Sequence, residues 1–244
     1  MRTRFAKDIV VEFAAPTRAS KKAIVFCSGM PSVPNMSQVL SAYAKRGYWT
    51  FHFRYRGSWE SGGRFLEKSP EEDVRDVLRG LQGTFRDLWS GRKFSPKPKD
   101  VYLCASSFGG APGLLASRDK RVKRIVALSP VVDWTAPSKA EPMDRLYGFV
   151  REAFGNGYRF DKKDWERLAR GNFCNPVRHL GAFDGEKMLI VHCKDDESVL
   201  WKPVARFARE THAGFILRAK GGHLGISNFL RPSIMKATLR FFSR

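Results

Sequence analysis

Seven short apolar runs recur along this 244-residue chain: Ile9–Phe13, Ala23–Cys27, Trp49–Phe53, Val101–Ala105, Ile125–Leu128, Met188–His192 and Phe215–Leu217. Most are continuous rather than alternating, the pattern of strands covered on both faces. The spacers between them carry a helical period. Met36–Arg46 is amphipathic and stops at Gly47. Ser69-Pro70-Glu71-Glu72 has the marks of a helix start, with Ser69 as N-cap, Pro70 in the first turn and Glu72 completing a capping box. The pattern predicts a helix from there to about Trp89. Gly110–Ser117, Pro203–Glu210 and Pro232–Phe242 read as further helices. Such alternation predicts an α/β fold with a mostly parallel central sheet and helices on both faces.

One stretch breaks the rhythm. Between Asp133 and Leu180 no strand candidate appears; two helices are expected, about Pro142–Phe154 and Lys162–Arg170, with a loop at Gly155-Asn156-Gly157. Residues 134–180 are therefore expected to form a small helical cap over one edge of a core made by 1–133 and 181–244. Its aromatic residues Trp134, Tyr147, Phe149, Phe154 and Trp165 are candidates to line an apolar pocket or to pack the cap itself.

The segment with most chemical content is Val101–Gly110, VYLCASSFGG. An apolar run passes through Ala105-Ser106-Ser107-Phe108-Gly109 into a helical stretch. This is small-x-Ser-x-Gly in a strand–turn–helix context, the arrangement of a nucleophile elbow. The turn is sharp, so the positions two before and two after the serine face close backbone contacts, and Ala105 and Gly109 meet that need. Ser107 is the expected nucleophile; Ser106 is the competing choice but lacks the spacing. A serine nucleophile needs a base, and the base needs an orienting acid. After Met188–His192 comes Cys193-Lys194-Asp195-Asp196-Glu197-Ser198-Val199, and after Phe215–Leu217 comes Gly221-Gly222-His223.

With these segments in the order Ser, acid, His, the chain resembles the α/β-hydrolase superfamily over most of its length. The family's loop after the penultimate strand usually reads His-Gly-x-x-Asp-x-x-Val; here His192 to Val199 places Asp196 at the acid position, with Asp195 and Glu197 beside it. Gly221-Gly222-His223 matches the loop that carries the family's base. Asp133 is a reserve acid. The resemblance implies an oxyanion hole from the backbone N–H groups of Met30 and Phe108, with Ser28 in place of the usual His before Gly29. Arg54-Tyr55-Arg56-Gly57-Ser58-Trp59-Glu60-Ser61 resembles the family's Arg-Gly-x-Gly-x-Ser loop, with Trp59 where Gly is common. The activity implied is hydrolysis of a small-molecule carboxylic ester through an acyl-enzyme on Ser107, with no metal and no cofactor. The alternatives are an amide-cleaving aminopeptidase or acyl-peptidase relative, and a hydrolase-fold protein that binds without cleaving.

Of the other histidines, His52 and His192 fall within apolar runs and read as core, and His179 and His212 read as surface. Cys27, Cys104 and Cys193 read as buried free thiols, with no zinc-like Cys/His spacing. Absence of a disulfide framework, of a signal-like start and of an unbroken apolar span points to a cytoplasmic protein without a transmembrane segment. The formal net charge of +20 is the odd feature of the composition. No nucleic-acid motif and no interleaved aromatic platform accompanies it. The expectation is weak, salt-sensitive association with acidic surfaces and no specific nucleic-acid partner. Arg54, Arg56 and Arg64 flank one loop near the expected nucleophile; they are candidates to attract an anionic substrate, as Trp59 and Trp134 are to contact it, while bracing the loop is the simpler role for the arginines.

Overall fold

The computed structural model describes residues 1–244. Its central sheet has eight strands: β1 (Arg2–Phe5), β2 (Ile9–Ala14), β3 (Lys22–Cys27), β4 (Trp49–Phe53), β7 (Asp100–Ser106), β8 (Val122–Leu128), β9 (Met188–Cys193) and β10 (Gly214–Arg218), while β5 (Phe85–Arg86) and β6 (Lys93–Phe94) form a separate small hairpin. The strand order is β1-β2-β4-β3-β7-β8-β9-β10. From β4 to β10 every pairing is parallel; β2 alone runs the other way, paired antiparallel with β1 on one side and β4 on the other. The helices are α1 (Ser37–Ala44), α2 (Pro70–Gly80), α3 (Gly110–Ala116), α4 (Met143–Phe154), α5 (Lys162–Ala169), α6 (Trp201–Glu210) and α7 (Pro232–Phe242).

Parity along the central strands sorts the core into two layers. Ala23, Val25 and Cys27 of β3 join Val101, Leu103 and Ala105 of β7 on one face, packed with Val74, Val77 and Leu78 of α2 and Leu114 of α3. Ile24, Phe26, Tyr102 and Cys104 point the other way, onto Val39, Leu40 and Tyr43 of α1 and Ile234 and Phe242 of α7. This double covering is why the runs read as continuous rather than alternating. Edge strand β10 is the exception, with Ile216 41% exposed.

Three local expectations differ from the structure. Helix α2 stops at Gly80 rather than near Trp89, and the chain then turns into the β5–β6 hairpin; residue 80 is Gly because the Phe5 ring lies 2.5 Å from where a Cβ would sit. The capping box does not form: the Ser69 side chain makes no cap hydrogen bond, and Glu72 N–H donates instead to the Ser69 carbonyl at 2.8 Å. Strands β1, β5 and β6 were not expected; each has two to four residues and carries Arg or Lys, so propensity cannot reveal them.

Between β8 and β9 the chain holds α4, α5 and 3-10 turns at Pro176–Ala182 and Gly185–Lys187, and no strand. No helix of the molecule is long and apolar enough to cross a membrane.

Candidate active site

Strand β7 ends in a sharp turn. Ser106 is extended, with φ −148°, and its side chain is fully buried. Ser107 has φ 53°, in the left-handed region that an L-residue occupies at a cost of about 1–2 kcal/mol. The flip points the two serines in opposite directions: Ser106 into the core and Ser107 into a cavity of about 500 Å³. Of the two hydroxyls, Ser107 is the accessible one and Ser106 is enclosed.

The turn is held by close approaches. A Cβ on Gly109 would lie 2.2 Å from the Cys27 carbonyl oxygen, and one on Gly29 would lie 2.9 Å from Ser107 Cβ. Ala105, where Gly is usual, is accommodated because residue 113 is Gly: a Cβ there would sit 2.9 Å from Ala105 Cβ. On the opposite side, Val131 N–H donates to the Ser107 carbonyl at 3.0 Å.

Asp196 follows β9 and is buried. Its Oδ1 accepts from the N–H groups of Val199 at 2.9 Å and Ser198 at 3.1 Å. His223 Nδ1 donates to its Oδ2 at 2.9 Å. Burial alone would raise the carboxyl pKa; the hydrogen bond and charge of His223, with further donation from Val199 and Ser129, hold it below the ordinary carboxylate value. Asp196 is therefore an anion aimed at the histidine. With Nδ1 donating to it, His223 presents its Nε2 lone pair away from Asp196. No hydrogen bond joins His223 to Ser107.

Asp195 does a different job from its neighbour. It is exposed and accepts from Gly221 N–H at 3.1 Å and Gly222 N–H at 2.9 Å, tying down the loop that carries His223. Ser129 Oγ holds the loop's other side by accepting from Leu224 N–H at 3.1 Å. Neither anchor was singled out from sequence; the hydrogen bonds cross 26 and 95 residues, and no local pattern announces them. The other acid candidates, Asp133 and Glu197, make no contact with His223.

His192 and His52 are both buried, and burial lowers the pKa of each. His192 Nε2 lies 3.9 Å behind Asp196 Oδ2. His52 Nε2 shares a 2.8 Å hydrogen bond with Ser28 Oγ, in the loop that leads to Met30. Met30 and Phe108 both line the cavity next to Ser107, and Met30 N–H has no partner in the protein.

The arginines do not face the cavity. Arg54 is buried and bonded to Glu12 at 2.9 Å and Glu60 at 3.1 Å. Arg56 is bonded to Asp8 at 2.8 Å, Asp73 at 2.5 Å and Asp76 at 2.6 Å. Arg64 is shared among Glu67, Asp161 and Asp164. The expectation that Arg54 and Arg56 bind substrate is corrected: each guanidinium is committed to two or three carboxylates. Trp59 is likewise corrected. It has φ 46°, donates through Nε1 to the Ser32 carbonyl at 3.0 Å, and packs against Phe154 and Tyr158 outside the cavity. Trp134 does line the cavity, its ring held by an Nε1–H bond to the Cys174 carbonyl at 2.7 Å. Among the other aromatic residues of 134–180, Tyr147 and Trp165 pack on one another and on Phe160, while Met143, Leu146 and Ala169 reach the cavity. All four cysteines are buried and unpaired.

The sequence pattern of the alpha/beta hydrolase family matches residues 24–233. No curated protein matches the sequence. Among solved structures, an esterase from Pyrococcus furiosus superposes with a TM-score of 0.70 at 16% identity, over 100% of this chain and 89% of that one. Est1E from Butyrivibrio proteoclasticus, with ferulic acid bound, gives 0.66 at 16% identity over 100% of both chains. An acylaminoacyl peptidase from Pyrococcus horikoshii gives 0.68 at 14% identity, over 100% of this chain but 41% of that one. At these identities the likeness is one of fold, and with the family pattern spanning most of the sequence and the sheet, elbow and loops in their places, the chain belongs to the alpha/beta hydrolase family.

Proposed function

We propose that the protein is a serine hydrolase that cleaves carboxylic esters at Ser107. The observation that carries this reading is the pairing of buried Asp196 with half-buried His223, 2.9 Å apart, on loops after β9 and β10 at the same edge of the parallel sheet as Ser107, which is held at φ 53° and lines a largely apolar cavity. A strained backbone at a hydroxyl that opens on a cavity is a recurring feature of catalytic positions.

In this reading Ser107 Oγ attacks the ester carbonyl while His223 Nε2 takes its proton. Asp196 keeps the proton on Nδ1 and stabilises the imidazolium that forms. Charge developing on the carbonyl oxygen meets the N–H groups of Met30 and Phe108. Collapse of the tetrahedral species expels the alcohol, which receives the proton from His223, and water repeats the sequence on the acyl-enzyme. The titrating groups and amides this needs are all supplied by the chain. Likeness to esterases supports the ester reading; the cap residues 134–180 would then shape the acyl-binding side, through Trp134, Met143 and Leu146.

The test is Ser107→Ala. Hydrolysis of 4-nitrophenyl esters should fall by roughly 10³-fold or more, and covalent labelling by a fluorophosphonate should vanish. Labelling that persists in the variant would remove Ser107 from the mechanism.

A further inference from the structure

The cavity beside Ser107 is charged opposite to the molecule around it. None of its 21 lining residues is Lys, Arg or His, and two are carboxylates, Asp133 and Glu141. The chain as a whole has 44 Lys and Arg against 24 Asp and Glu. Neither cavity carboxylate forms an ion pair. Asp133 Oδ1 accepts from Thr135 N–H at 3.0 Å, Thr135 Oγ at 2.7 Å and Asn175 Nδ2 at 3.5 Å, which leaves Oδ2 free. Glu141 is fixed through its backbone, whose N–H donates to Ser138 Oγ at 2.9 Å, so its side chain is uncommitted. The exposed Glu197 stands at the same rim, its carbonyl accepting from the N–H groups of Lys139 and Ala140 at 3.1 Å. On its outer side Asp133 also borders an adjoining cleft that holds Lys202 and Arg206. Neither lines the cavity, and Arg206 is paired with Glu210 at 2.8 Å.

Beyond the carboxylates the wall is apolar, with Met143, Leu146 and Val204, and it includes the Trp134 ring. A partly enclosed apolar wall strengthens the field of an unpaired carboxylate, and an indole face attracts an alkylammonium. We infer that the cavity takes an acyl group that is apolar along its length and cationic at its far end, and rejects anionic acyl groups. The inference rests on Ser107 as nucleophile only for its kinetic readout.

Three 4-nitrophenyl esters of matched shape test it: 4-(trimethylammonio)butanoate, its uncharged isostere 5,5-dimethylhexanoate, and 4-sulfobutanoate. The expected order of kcat/KM is cationic, neutral, anionic, with steps on the order of tenfold that shrink in 1 M salt. Asp133→Asn with Glu141→Gln should bring the cationic-to-neutral ratio close to one. A neutral or anionic ester in first place, or a ratio that the double variant leaves unchanged, overturns the inference. So does a cationic preference seen only when the charge is on the alcohol, as in a thiocholine ester against 3,3-dimethylbutyl thioester. Binding gives a readout independent of turnover: benzyltrimethylammonium, but not benzenesulfonate, should quench fluorescence in the wild type and not in Trp134→Phe. If no ester is cleaved, the nucleophile reading fails while this binding result still decides the charge preference.

Discussion

Replacing Gly109 by Ala isolates the closeness of the elbow from its backbone geometry. Gly109 has φ −62° and ψ −14°, which any L-residue adopts, so the substitution carries no dihedral cost. Its whole effect comes from the added methyl group. That carbon would stand 2.2 Å from the Cys27 carbonyl oxygen and 2.5 Å from that of Ser28, where ordinary contact begins at 3.4 Å. Both obstacles are backbone, so no side chain can swing clear, and the loop must retreat by about 1.2 Å from Gly109. That loop continues directly into Gly29 and Met30, whose N–H is the proposed oxyanion donor. A displacement of about 1 Å at a catalytic group costs roughly 100-fold in rate, and overpacking of this kind costs about 1–3 kcal/mol of stability. For a domain of this size the loss lowers Tm by roughly 3–10 °C. The assay is kcat/KM on a short 4-nitrophenyl ester together with thermal unfolding followed by circular dichroism. Gly148→Ala in α4 is the control, since nothing lies within 4 Å of a Cβ there and helix propensity favours Ala by up to about 1 kcal/mol. A Gly109→Ala protein that keeps wild-type Tm and stays within threefold of wild-type kcat/KM would refute the reasoning.

Two further outcomes follow from buried groups. Burial, reinforced by the charge of Arg54, pushes His52 down to about 3 from 6.5. The unfolded chain therefore binds this proton below pH 6.5 and the native one does not, so stability falls as pH drops, by about 1.4 kcal/mol per unit from 6.5 downward. Between pH 6.5 and 5 urea titrations should show wild type losing about 2 kcal/mol more than His52→Asn, and equal losses would mean that His52 titrates normally in the native state. Arg54→Met should cost about 2–3 kcal/mol, less than the 3–5 typical of a wholly buried pair because Glu60 is 43% exposed. Its neutral-to-acidic ester selectivity should stay at the wild-type value; a shift in selectivity would return Arg54 to the substrate site.

Much of the fold is written in local pattern. The seven apolar runs coincide with seven strands of the central sheet; the inner strands are covered on both faces, and only edge strand β10 is partly exposed. Ser107 was legible because the elbow demands small neighbours at fixed offsets, a constraint that acts within five residues. Asp196 and His223 were legible only through family likeness, since nothing local distinguishes Asp196 from Asp195. The structure separates them by burial: one carboxylate is enclosed and faces the imidazole, and its neighbour lies in solvent holding two backbone amides of the histidine loop.

What lay beyond the sequence was set by contacts between distant segments. The need for glycine at position 80 comes from a phenylalanine 75 residues earlier, and the room for Ala105 from a glycine eight residues later. The arginines show the difference most clearly. Their position beside the elbow loop follows from sequence, but their employment follows from which carboxylates the fold brings within 2.5–3.2 Å, and Glu12, Asp8, Asp73, Asp161 and Asp164 come from other elements. The sequence by itself therefore determined the layers of the fold, the elbow and the sign of the net charge. Tertiary structure alone decided where that charge is neutralised and left the cavity at Ser107 with carboxylates only. The physical reason is range: side-chain periodicity and turn sterics act over a few residues, whereas ion pairing and burial are settled by neighbours that the chain meets only once folded.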